Sequence, residues 1–293
     1  MFKLFGRHRK HNEPADAFAR LTDDEWLAVL IRSVKEPIVD GVPMPRFPDD
    51  TLQANTVGYA GEMALREVFP LFVLVQKYAR QFGRPLGPDT RLLDFGCGWG
   101  RSTRLFLKQI KAANIQGIDV DPMFVDVCRS TIPGARFDQV NALPPTAFPD
   151  GSFDVVTGYS VLSHLAEHAS LAWVQEFSRL LRPGGLMCVT TQLRDFIGFC
   201  ESFRGKENVV PWHQGLAKSF VDVEASYAAY DAGEYLYAPT GGGPARPSDF
   251  YGEAIIPEGY VRTRFTPFLR YVDFVADRRL LPQALIVMQK PVD

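Results

Sequence analysis

The sequence predicts an α/β protein with a seven-stranded, mostly parallel sheet and helices on both faces. From residue 90 onwards, short apolar segments that suit buried strands alternate with amphipathic segments at helical spacing. A glycine-rich turn joins the first of these strands to the helix that follows it. Residues 1–89 predict a helical N-terminal cap. The sheet domain then spans residues 90–293, with an insertion at residues 192–266 before the last strand pair.

Composition limits the class of protein and its compartment. The chain has 293 residues, of which 46% are hydrophobic, and this is enough for a sizeable core. Its net charge of −2 gives no general attraction to nucleic acid. The four cysteines contain no C-x-x-C pair, and we expect them to be reduced core residues of a cytoplasmic protein. These cysteines are Cys97, Cys128, Cys188 and Cys200.

The first ten residues, MFKLFGRHRK, are basic with interleaved phenylalanine and leucine. They leave two interpretations open, a frayed tail or a weak attachment to an acidic membrane surface. They contain no apolar core typical of a signal peptide. We also expect no membrane span, because no apolar run approaches the roughly 18 residues that cross a bilayer.

Two helices are predicted in the N-terminal cap. Thr22 and Glu25 have the spacing of a capping box within a helix at residues 15–35. A second helix is predicted at residues 61–82, kinked or divided by Pro70. Neither segment carries a catalytic pattern.

The glycine-rich turn lies within residues 91–103, RLLDFGCGWGRST. Glycines lack a Cβ, so the backbone turns sharply there and a ligand can lie against it. The helix start that follows adds unpaired N–H groups and a partial positive charge, so we expect a polar and partly anionic ligand. The helix itself should direct Arg104 and Lys108 towards solvent. The acid and glycines of the turn are Asp94, Gly96, Gly98 and Gly100.

The spacing D-x-G-x-G-x-G differs from the dinucleotide fingerprint, because Arg101 stands where that fingerprint has its third glycine. It resembles the first motif of class I S-adenosylmethionine-dependent methyltransferases, in the variant GCGxGR. The resemblance implies a Rossmann-like fold, with S-adenosylmethionine as cofactor. It also implies that Asp94 and the glycine backbone hold the methionine and ribose end of that cofactor. Arg101 either pairs with the methionine carboxylate or remains a solvated arginine.

Further landmarks follow in the order that the resemblance implies. Asp119 ends the second strand, where its carboxylate can accept hydrogen bonds from both ribose hydroxyls. Asn141 and Ala142 follow the third strand, where the family contacts the adenine edge. Tyr159, at the carboxyl end of the fourth strand, completes the predicted cofactor-binding residues. The seven strands are predicted at residues 91–93, 115–120, 135–140, 153–157, 186–191, 269–275 and 284–289.

Methyl transfer requires alignment of the two reactants and sometimes removal of a proton. His164, just past the fourth strand, is the first candidate for the general base, and His213 is the second; a structural role at a helix start is the alternative for His164. The fourth-strand tip, GYSVL, lacks the Asn/Asp-Pro-Pro-Tyr signature of base methylation, so we expect no nucleic-acid partner. A small polar molecule or a glycan remains as acceptor, with O-methylation as the favoured reaction.

The insertion at residues 192–266 is rich in tyrosine and tryptophan, which can stack on an acceptor ring or fill a core. We expect it to form the wall and lid of the acceptor pocket; a scaffold extension or a dimer contact is the alternative. Two other functions stay open at this point. One is a binding protein that keeps the cofactor site without catalysis. The other is a zinc hydrolase, because His164 and His168 belong to an H-x-x-E-H motif.

Overall fold

The computed structural model describes residues 13–207 and 210–292. The basic segment at residues 1–10, for which membrane-surface contact was one interpretation, lies outside the described residues. Where one helix was predicted there are two, α1 (Pro14–Phe18) and α2 (Asp23–Ser33). The capping box is confirmed: the Glu25 amide donates to Thr22 Oγ1 at 3.2 Å and the Thr22 amide donates to Glu25 Oε2 at 2.7 Å.

A short hairpin and two more helices lead to the sheet. The hairpin pairs β1 (Ile38–Val39) with β2 (Val42–Pro43), and α3 (Asp50–Val57) follows. The fourth helix, α4 (Gly61–Gln81), is continuous with Pro70 inside it, so the proline does not divide the helix. A long apolar face buried against the sheet domain holds it together across the missing N–H.

The remaining elements alternate as predicted. The strands are β3 (Leu92–Phe95), β4 (Ile115–Asp119), β5 (Arg136–Gln139), β6 (Phe153–Gly158), β7 (Leu181–Thr191), β8 (Leu236–Ala238), β9 (Glu253–Ile255), β10 (Arg270–Val275) and β11 (Ala284–Gln289). The helices are α5 (Thr103–Phe106), α6 (Pro122–Thr131), α7 (Glu167–Leu180), α8 (Phe196–Glu201), α9 (Pro211–Lys218), α10 (Val223–Asp231) and α11 (Glu258–Tyr260). Short turns of other helix types lie at Ala112–Asn114, Leu162–His164 and Val261–Phe265.

Seven strands form the central sheet in the order β10-β11-β7-β6-β3-β4-β5. All neighbours are parallel except β11, which is antiparallel to both β7 and β10. The predicted seven-stranded, mostly parallel sheet is therefore confirmed. After β3 the chain adds β4 and β5 on one side, then crosses to add β6 and β7 on the other. This reversal beside β3 is the topological switch point at which open α/β sheets bind ligands.

Helices cover both faces of the sheet. Alternate strand residues such as Leu92 and Val155 pack with α2 and α4 in one hydrophobic cluster, while Leu93 and Val156 pack with α7 in another. Trp26 of α2 is fully buried in the first cluster, and its indole N–H donates to the Leu105 carbonyl at 2.9 Å. The N-terminal helices and the sheet therefore share a core. Within residues 13–207 and 210–292, every helix is too short or too polar to span a lipid bilayer.

The prediction that Arg104 and Lys108 face solvent is wrong. Arg104 is 1% exposed and donates to the carbonyls of Trp99, Gly100 and Arg46, and burial lowers its pKa to about 10. Lys108 is 3% exposed, and its ammonium lies 2.6 Å from the Asp23 carboxylate. Helical spacing identifies the face opposite the sheet, but here the N-terminal segment covers that face as well.

Candidate active site

Asp94 is the next-to-last residue of β3, directly before the glycine turn, and has no exposed surface. Ser102 Oγ donates to both of its carboxylate oxygens at 3.0 and 2.9 Å, and Thr103 Oγ1 donates at 2.5 Å. Burial raises the pKa of Asp94 to about 6 even though these hydroxyls act in the opposite direction. The carboxylate therefore fastens the start of α5 to the end of β3 and fixes the shape of the turn between them.

The three glycines of the turn all have positive φ, at +63° for Gly96, +52° for Gly98 and +78° for Gly100. A Cβ on Gly96 would come within 2.5 Å of the Val161 side chain, and one on Gly100 within 2.4 Å of Ile132. Gly98 differs, because a Cβ there would have no neighbour within 4 Å. The turn is closed on two sides by packing and is open at Gly98, where a ligand can lie against bare backbone.

Asp119, at the tip of β4, lies beside this opening. Its carboxylate accepts the Gly98 amide at 2.9 Å and the Asp121 amide at 2.9 Å. It is 9% exposed, and burial raises its pKa while the two amides partly offset that effect. Each carboxylate oxygen keeps acceptor capacity for a further donor. The donor and acceptor set at the two strand tips fits a ligand that carries hydroxyl groups.

The other predicted cofactor residues are distributed around the same sheet edge. Tyr159 follows β6, and its hydroxyl donates to Glu67 of α4 at 2.9 Å, while Arg101 pairs with the same carboxylate. The Arg101 guanidinium lies over the Tyr159 ring, 5.1 Å from its centre. Asn141 is exposed just beyond β5, and the carbonyl of Ala142 accepts the Trp173 indole N–H at 2.9 Å. That bond orients the Asn141–Ala142 segment.

His164 lies in the turn Leu162–His164 and is held by the insertion. Its Nδ1 is 2.8 Å from the Gly252 carbonyl, and the Gly252 amide donates to the His164 carbonyl at 2.7 Å. The ring stacks on Tyr251 with centres 5.0 Å apart and an angle of 11° between planes. The Glu253 carboxylate lies 3.5 Å from Nδ1, and burial raises its pKa. A hydrogen bond from Nδ1 to the carbonyl leaves Nε2 as the proton acceptor of a neutral ring.

The other two histidines of interest lie elsewhere. His213, in α9, stacks on Phe203 at 4.1 Å beside the exposed Trp212, at the margin of the insertion's own hydrophobic cluster. Among the described contacts of His213, none is with His164. His168 is exposed in α7, whereas His164 precedes that helix, so the H-x-x-E-H motif does not present both rings from one helix. Residues 13–207 and 210–292 contain no cluster of three potential metal ligands.

Sequence reasoning missed four side chains that the fold brings to this edge. Glu67 comes from the N-terminal helix α4, and Arg246, Tyr251 and Glu253 come from the insertion. Arg246 lies over the Tyr251 ring at 5.5 Å, with its guanidinium 3.6 Å from Asp121. None of the four belongs to a motif. The three insertion residues lie in a segment that was expected to border the site, which is their only signal in the sequence. Glu67 has no such signal, because α4 was predicted as part of a cap without a catalytic pattern.

A family model supports the interpretation of the glycine turn as part of a methyltransferase domain. Residues 92–185 match the model of a methyltransferase domain. These residues form a class I S-adenosylmethionine-dependent methyltransferase domain. The cofactor of such a domain is S-adenosylmethionine, and the open backbone at Gly98 with the Asp119 carboxylate beside it fits that molecule. The match begins in β3 and ends in β7, so the methyltransferase domain includes the glycine turn and the tips of β4 and β6.

Curated relatives match only part of the chain. The chain is 34% identical over 111 residues to a trans-aconitate 2-methyltransferase of Methylobacterium nodulans, an alignment that covers 38% of this chain and 41% of the relative. It is 31% identical over 147 residues to a ubiquinone biosynthesis O-methyltransferase of Cereibacter sphaeroides, covering 47% and 58%. The chain therefore spans about half the length of the curated relatives it matches.

A solved structure supports the fold. The PH0226 protein from Pyrococcus horikoshii superimposes with a TM-score of 0.50 at 15% identity, and the match covers 79% of this chain and 92% of that one. At this level of identity the likeness extends to the fold alone. It includes more of the chain than the methyltransferase domain does.

Proposed function

We propose that the protein transfers a methyl group from S-adenosylmethionine to a hydroxyl of a small polar molecule or glycan. The observation that carries this proposal is the environment of His164, whose Nδ1 is committed to the Gly252 carbonyl at 2.8 Å. The opposite nitrogen, Nε2, is then available to remove a proton from an acceptor. A group that needs a base at neutral pH, such as a hydroxyl, benefits from this arrangement.

The position of His164 supports the same role. Val161, three residues before it, packs against Gly96 of the glycine turn, so this segment borders the cofactor edge of the methyltransferase domain. Tyr251 covers one face of the ring, and Glu253 faces Nδ1 at 3.5 Å. A carboxylate at that nitrogen stabilises the imidazolium that forms when Nε2 takes a proton. His164 is therefore the base, and Gly252, Tyr251 and Glu253 are its positioning residues.

The cofactor residues follow from the same edge. S-adenosylmethionine supplies an electrophilic methyl group on a sulfonium and a good leaving group. The chain's part is to hold and align it: Gly98 offers open backbone, Asp119 accepts hydroxyl donors, and Arg101 is a cation close to the turn. Asp94, Gly96 and Gly100 shape the turn. Tyr159, Asn141 and Ala142 complete the set at the tips of β6 and β5.

The acceptor that we propose is a small molecule, and the compartment is the cytoplasm. One relative is named for trans-aconitate and another for O-methylation in ubiquinone biosynthesis, which favours a small molecule over a nucleic acid. The insertion places the Tyr251 ring beside His164, and an aromatic ring of this kind suits an apolar or sugar face. The four cysteines are buried and free, as expected of a protein that acts in the reducing cytoplasm.

Two measurements test the proposal in sequence. Calorimetry first asks whether the purified protein binds S-adenosylhomocysteine, and Asp119→Ala should weaken that binding by about 10- to 100-fold. Asp126→Ala is the matched control, because Asp126 is an exposed acid in α6 that pairs with Arg129. Binding of NAD in place of S-adenosylhomocysteine would reject the cofactor assignment.

Turnover is then followed as S-adenosylhomocysteine formed with a panel of hydroxyl, carboxylate, amine and sugar acceptors. With an acceptor found, His164→Gln should lower kcat by about 100-fold or more, whereas His168→Gln, on the exposed part of α7, should not change it. We expect His213→Gln to have a smaller effect, because its ring is stacked on Phe203. Cofactor binding without turnover of any acceptor would favour a non-catalytic binding protein.

A further inference from the structure

Ser160 has a strained backbone conformation at the carboxyl end of the sheet. It lies two residues past the end of β6, and its φ of +59° falls in the left-handed region, which is unfavourable for a residue with a Cβ. In the described part of the chain, most residues with positive φ are glycines. Such strain persists only where neighbouring groups hold the residue in place, and it is common at ligand sites.

Three hydrogen bonds hold Ser160 in a closed ring with Thr190 of β7 and Gln283, the residue before β11. The Ser160 amide donates to Thr190 Oγ1 at 2.7 Å, and Thr190 Oγ1 donates to Gln283 Oε1 at 2.6 Å. Gln283 Nε2 then donates to Ser160 Oγ at 2.9 Å. Thr190 and Gln283 are both buried. The ring therefore joins the ends of three strands and fixes both the backbone and the side chain of Ser160.

The Ser160 hydroxyl has one proton that the ring does not use. Its oxygen accepts from Gln283, and its other neighbour is Ser163 Oγ at 3.3 Å, a long distance for two hydroxyls. Ser163 is fully buried, and Ser160 Oγ is the partner described for its side chain. Because buried hydroxyls rarely stay unpaired, Ser163 is the donor in that contact. The proton of the partly exposed Ser160 hydroxyl is then available to a ligand.

The turn that follows Ser160 carries the proposed base. The His164 amide donates to the Val161 carbonyl at 2.9 Å, and this bond closes the turn between Ser160 and His164. A hydroxyl donor and a proton acceptor, His164 Nε2, therefore flank one short turn beyond β6. The donor needs an oxygen with a lone pair, whereas the base needs an O–H group. A molecule with two neighbouring oxygens, one of them a hydroxyl, satisfies both groups, and an isolated hydroxyl satisfies only the base.

We propose that Ser160 determines acceptor specificity by donating a hydrogen bond to the oxygen next to the hydroxyl that is methylated. Thr190 and Gln283 are its positioning residues. The acceptors are then vicinal diols and their monoethers, whether aromatic or aliphatic. The inference rests on the proposed function and narrows its substrate class. Ser160 makes no covalent bond in the reaction, and its contribution is the orientation of the acceptor in front of His164.

Two pairs of acceptors with matched shapes test the assignment. 2-Methoxyphenol has an ether oxygen beside its hydroxyl, and 2-ethylphenol replaces that oxygen with a methylene group. 2-Methoxycyclohexanol and 2-ethylcyclohexanol form the aliphatic pair. The wild type should use the methoxy member with a kcat/KM about 10-fold higher or more. Ser160→Ala should lower kcat/KM for the methoxy member by about 10-fold and leave the ethyl member within about threefold, because only the first accepts the hydrogen bond.

Three further variants complete the test. Ser160→Gly also removes the hydroxyl but relieves the left-handed strain, so it should lose the same selectivity without a lower melting temperature. Gln283→Leu should reduce the selectivity as well, because its amide orients the Ser160 hydroxyl. Ser130→Ala is the matched control, because Ser130 is an exposed serine of α6 whose hydroxyl donates to the Val127 carbonyl. It should change neither kcat/KM nor selectivity.

The outcomes separate this inference from the proposed function. If the wild type forms S-adenosylhomocysteine with no acceptor of any kind, the proposed function fails. If it methylates acceptors but does not prefer the methoxy members, the assignment of the acceptor class is overturned. If the Ser160 variants slow both members of a pair equally, or neither, Ser160 has a structural role and the specificity assignment is overturned. Affinity for S-adenosylhomocysteine should stay within about threefold in every variant.

Discussion

At the scale of single residues, the three glycines of the cofactor turn have different reasons to be glycine. All three have positive φ, which is strained for residues with a Cβ. Gly96 and Gly100 also lack room, because Val161 and Ile132 lie where a Cβ would go. Gly98 has room, so packing does not explain it. Its positive φ favours glycine, and we propose that a close approach of the ligand is the second reason.

This difference predicts that the same substitution affects ligand binding at Gly98 and stability at Gly100. Gly98→Ala should weaken S-adenosylhomocysteine binding by about 10-fold or more, with a stability loss of only about 1–2 kcal/mol from the left-handed backbone. Gly100→Ala should instead lower the melting temperature strongly, because its methyl group meets Ile132. Calorimetry and thermal melting measure the two effects. Gly58→Ala, at another open left-handed position (φ +83°), controls for backbone strain. Unchanged affinity in Gly98→Ala would show that the ligand does not approach there.

Asp94 predicts a pH dependence of stability. Its pKa is about 6 in the folded chain against 3.8 for a free side chain, so between these values the native state binds more protons than the unfolded state. The stabilising effect of protonated Asp94 is complete below about pH 4 and is lost as pH rises through 6. The free energy of unfolding of the wild type should therefore fall relative to that of Asp94→Asn between pH 4 and 6, by up to about 3 kcal/mol.

Urea titrations of both proteins at intervals of pH measure this difference, and subtraction removes the contributions of the other groups. The difference should stay constant above about pH 7. A difference that stays nearly flat from pH 4 to 6 and rises with pH below about 4 would mean that the Ser102 and Thr103 hydroxyls outweigh burial, and that the pKa of Asp94 is lowered.

At the scale of elements, the insertion is built around the antiparallel pair β8–β9 and its long connecting loop, residues 239–252. The loop returns to the methyltransferase domain at two places. Arg246 lies near Asp121, and Tyr251 stacks on His164. The α8–α10 part of the insertion has a separate hydrophobic cluster, which includes Ile197, Leu216 and Phe220. We propose that the loop forms the lid of the pocket and that the helices form its support.

The lid predicts a local response to ligand. Saturating S-adenosylhomocysteine should slow amide hydrogen exchange severalfold in residues 239–252, because the loop borders the strand tips that hold the ligand. Exchange in α9 should not change, since that helix packs within the insertion. Mass spectrometry of peptic fragments resolves the two segments. Slowed exchange at the glycine turn with none in the loop would assign the insertion to scaffold or dimer contacts.

At the scale of the whole molecule, the N-terminal helices and the sheet have a common interior. The cluster on their side of the sheet joins Phe72 of α4 to Phe106 of α5, with ring centres 5.5 Å apart. Lys108, Asp23 and Gln76 form a partly buried polar link across the same boundary. The domain boundary at residue 89 remains a prediction. Because the residues on both sides of it share one hydrophobic cluster, we expect the two parts to fold together.

A fragment of residues 90–293 should therefore lack a cooperative unfolding transition. Removal of α1–α4 would expose the apolar residues of this cluster to water. It would also leave Arg104 without the Arg46 carbonyl and Lys108 without the Asp23 carboxylate. Near-ultraviolet circular dichroism and urea unfolding measure the result. A fragment that unfolds cooperatively and binds S-adenosylhomocysteine would show that the sheet domain is independent.

Single substitutions of two tryptophans test the shared core in the full-length chain. Trp26 is fully buried and hydrogen-bonded to Leu105, whereas Trp212 is 53% exposed. Trp26→Ala should cost about 3–5 kcal/mol of unfolding free energy, and Trp212→Ala less than about 1 kcal/mol. Equal losses would contradict the shared core.

The sequence by itself determined the sheet and the cofactor turn. The signals lay in local patterns with fixed separations: short apolar strands, Asp94 with its alternating glycines, and Asp119. Such patterns follow from backbone geometry and burial alone. Even the bounds of β11 were predicted correctly. The length of the first helix and the exposure of Arg104 were not, because both depend on segments that pack from a distance.

Only the tertiary structure decided which distant residues meet at the strand tips. Glu67 lies 34 positions from Arg101, and Gly252 lies 88 positions from His164, so no periodicity links them. His213 was the second candidate for the base, and only the fold shows that its ring stacks on Phe203. Contacts between residues so far apart in sequence depend on how the helices and loops pack against the sheet, and that packing involves the whole chain.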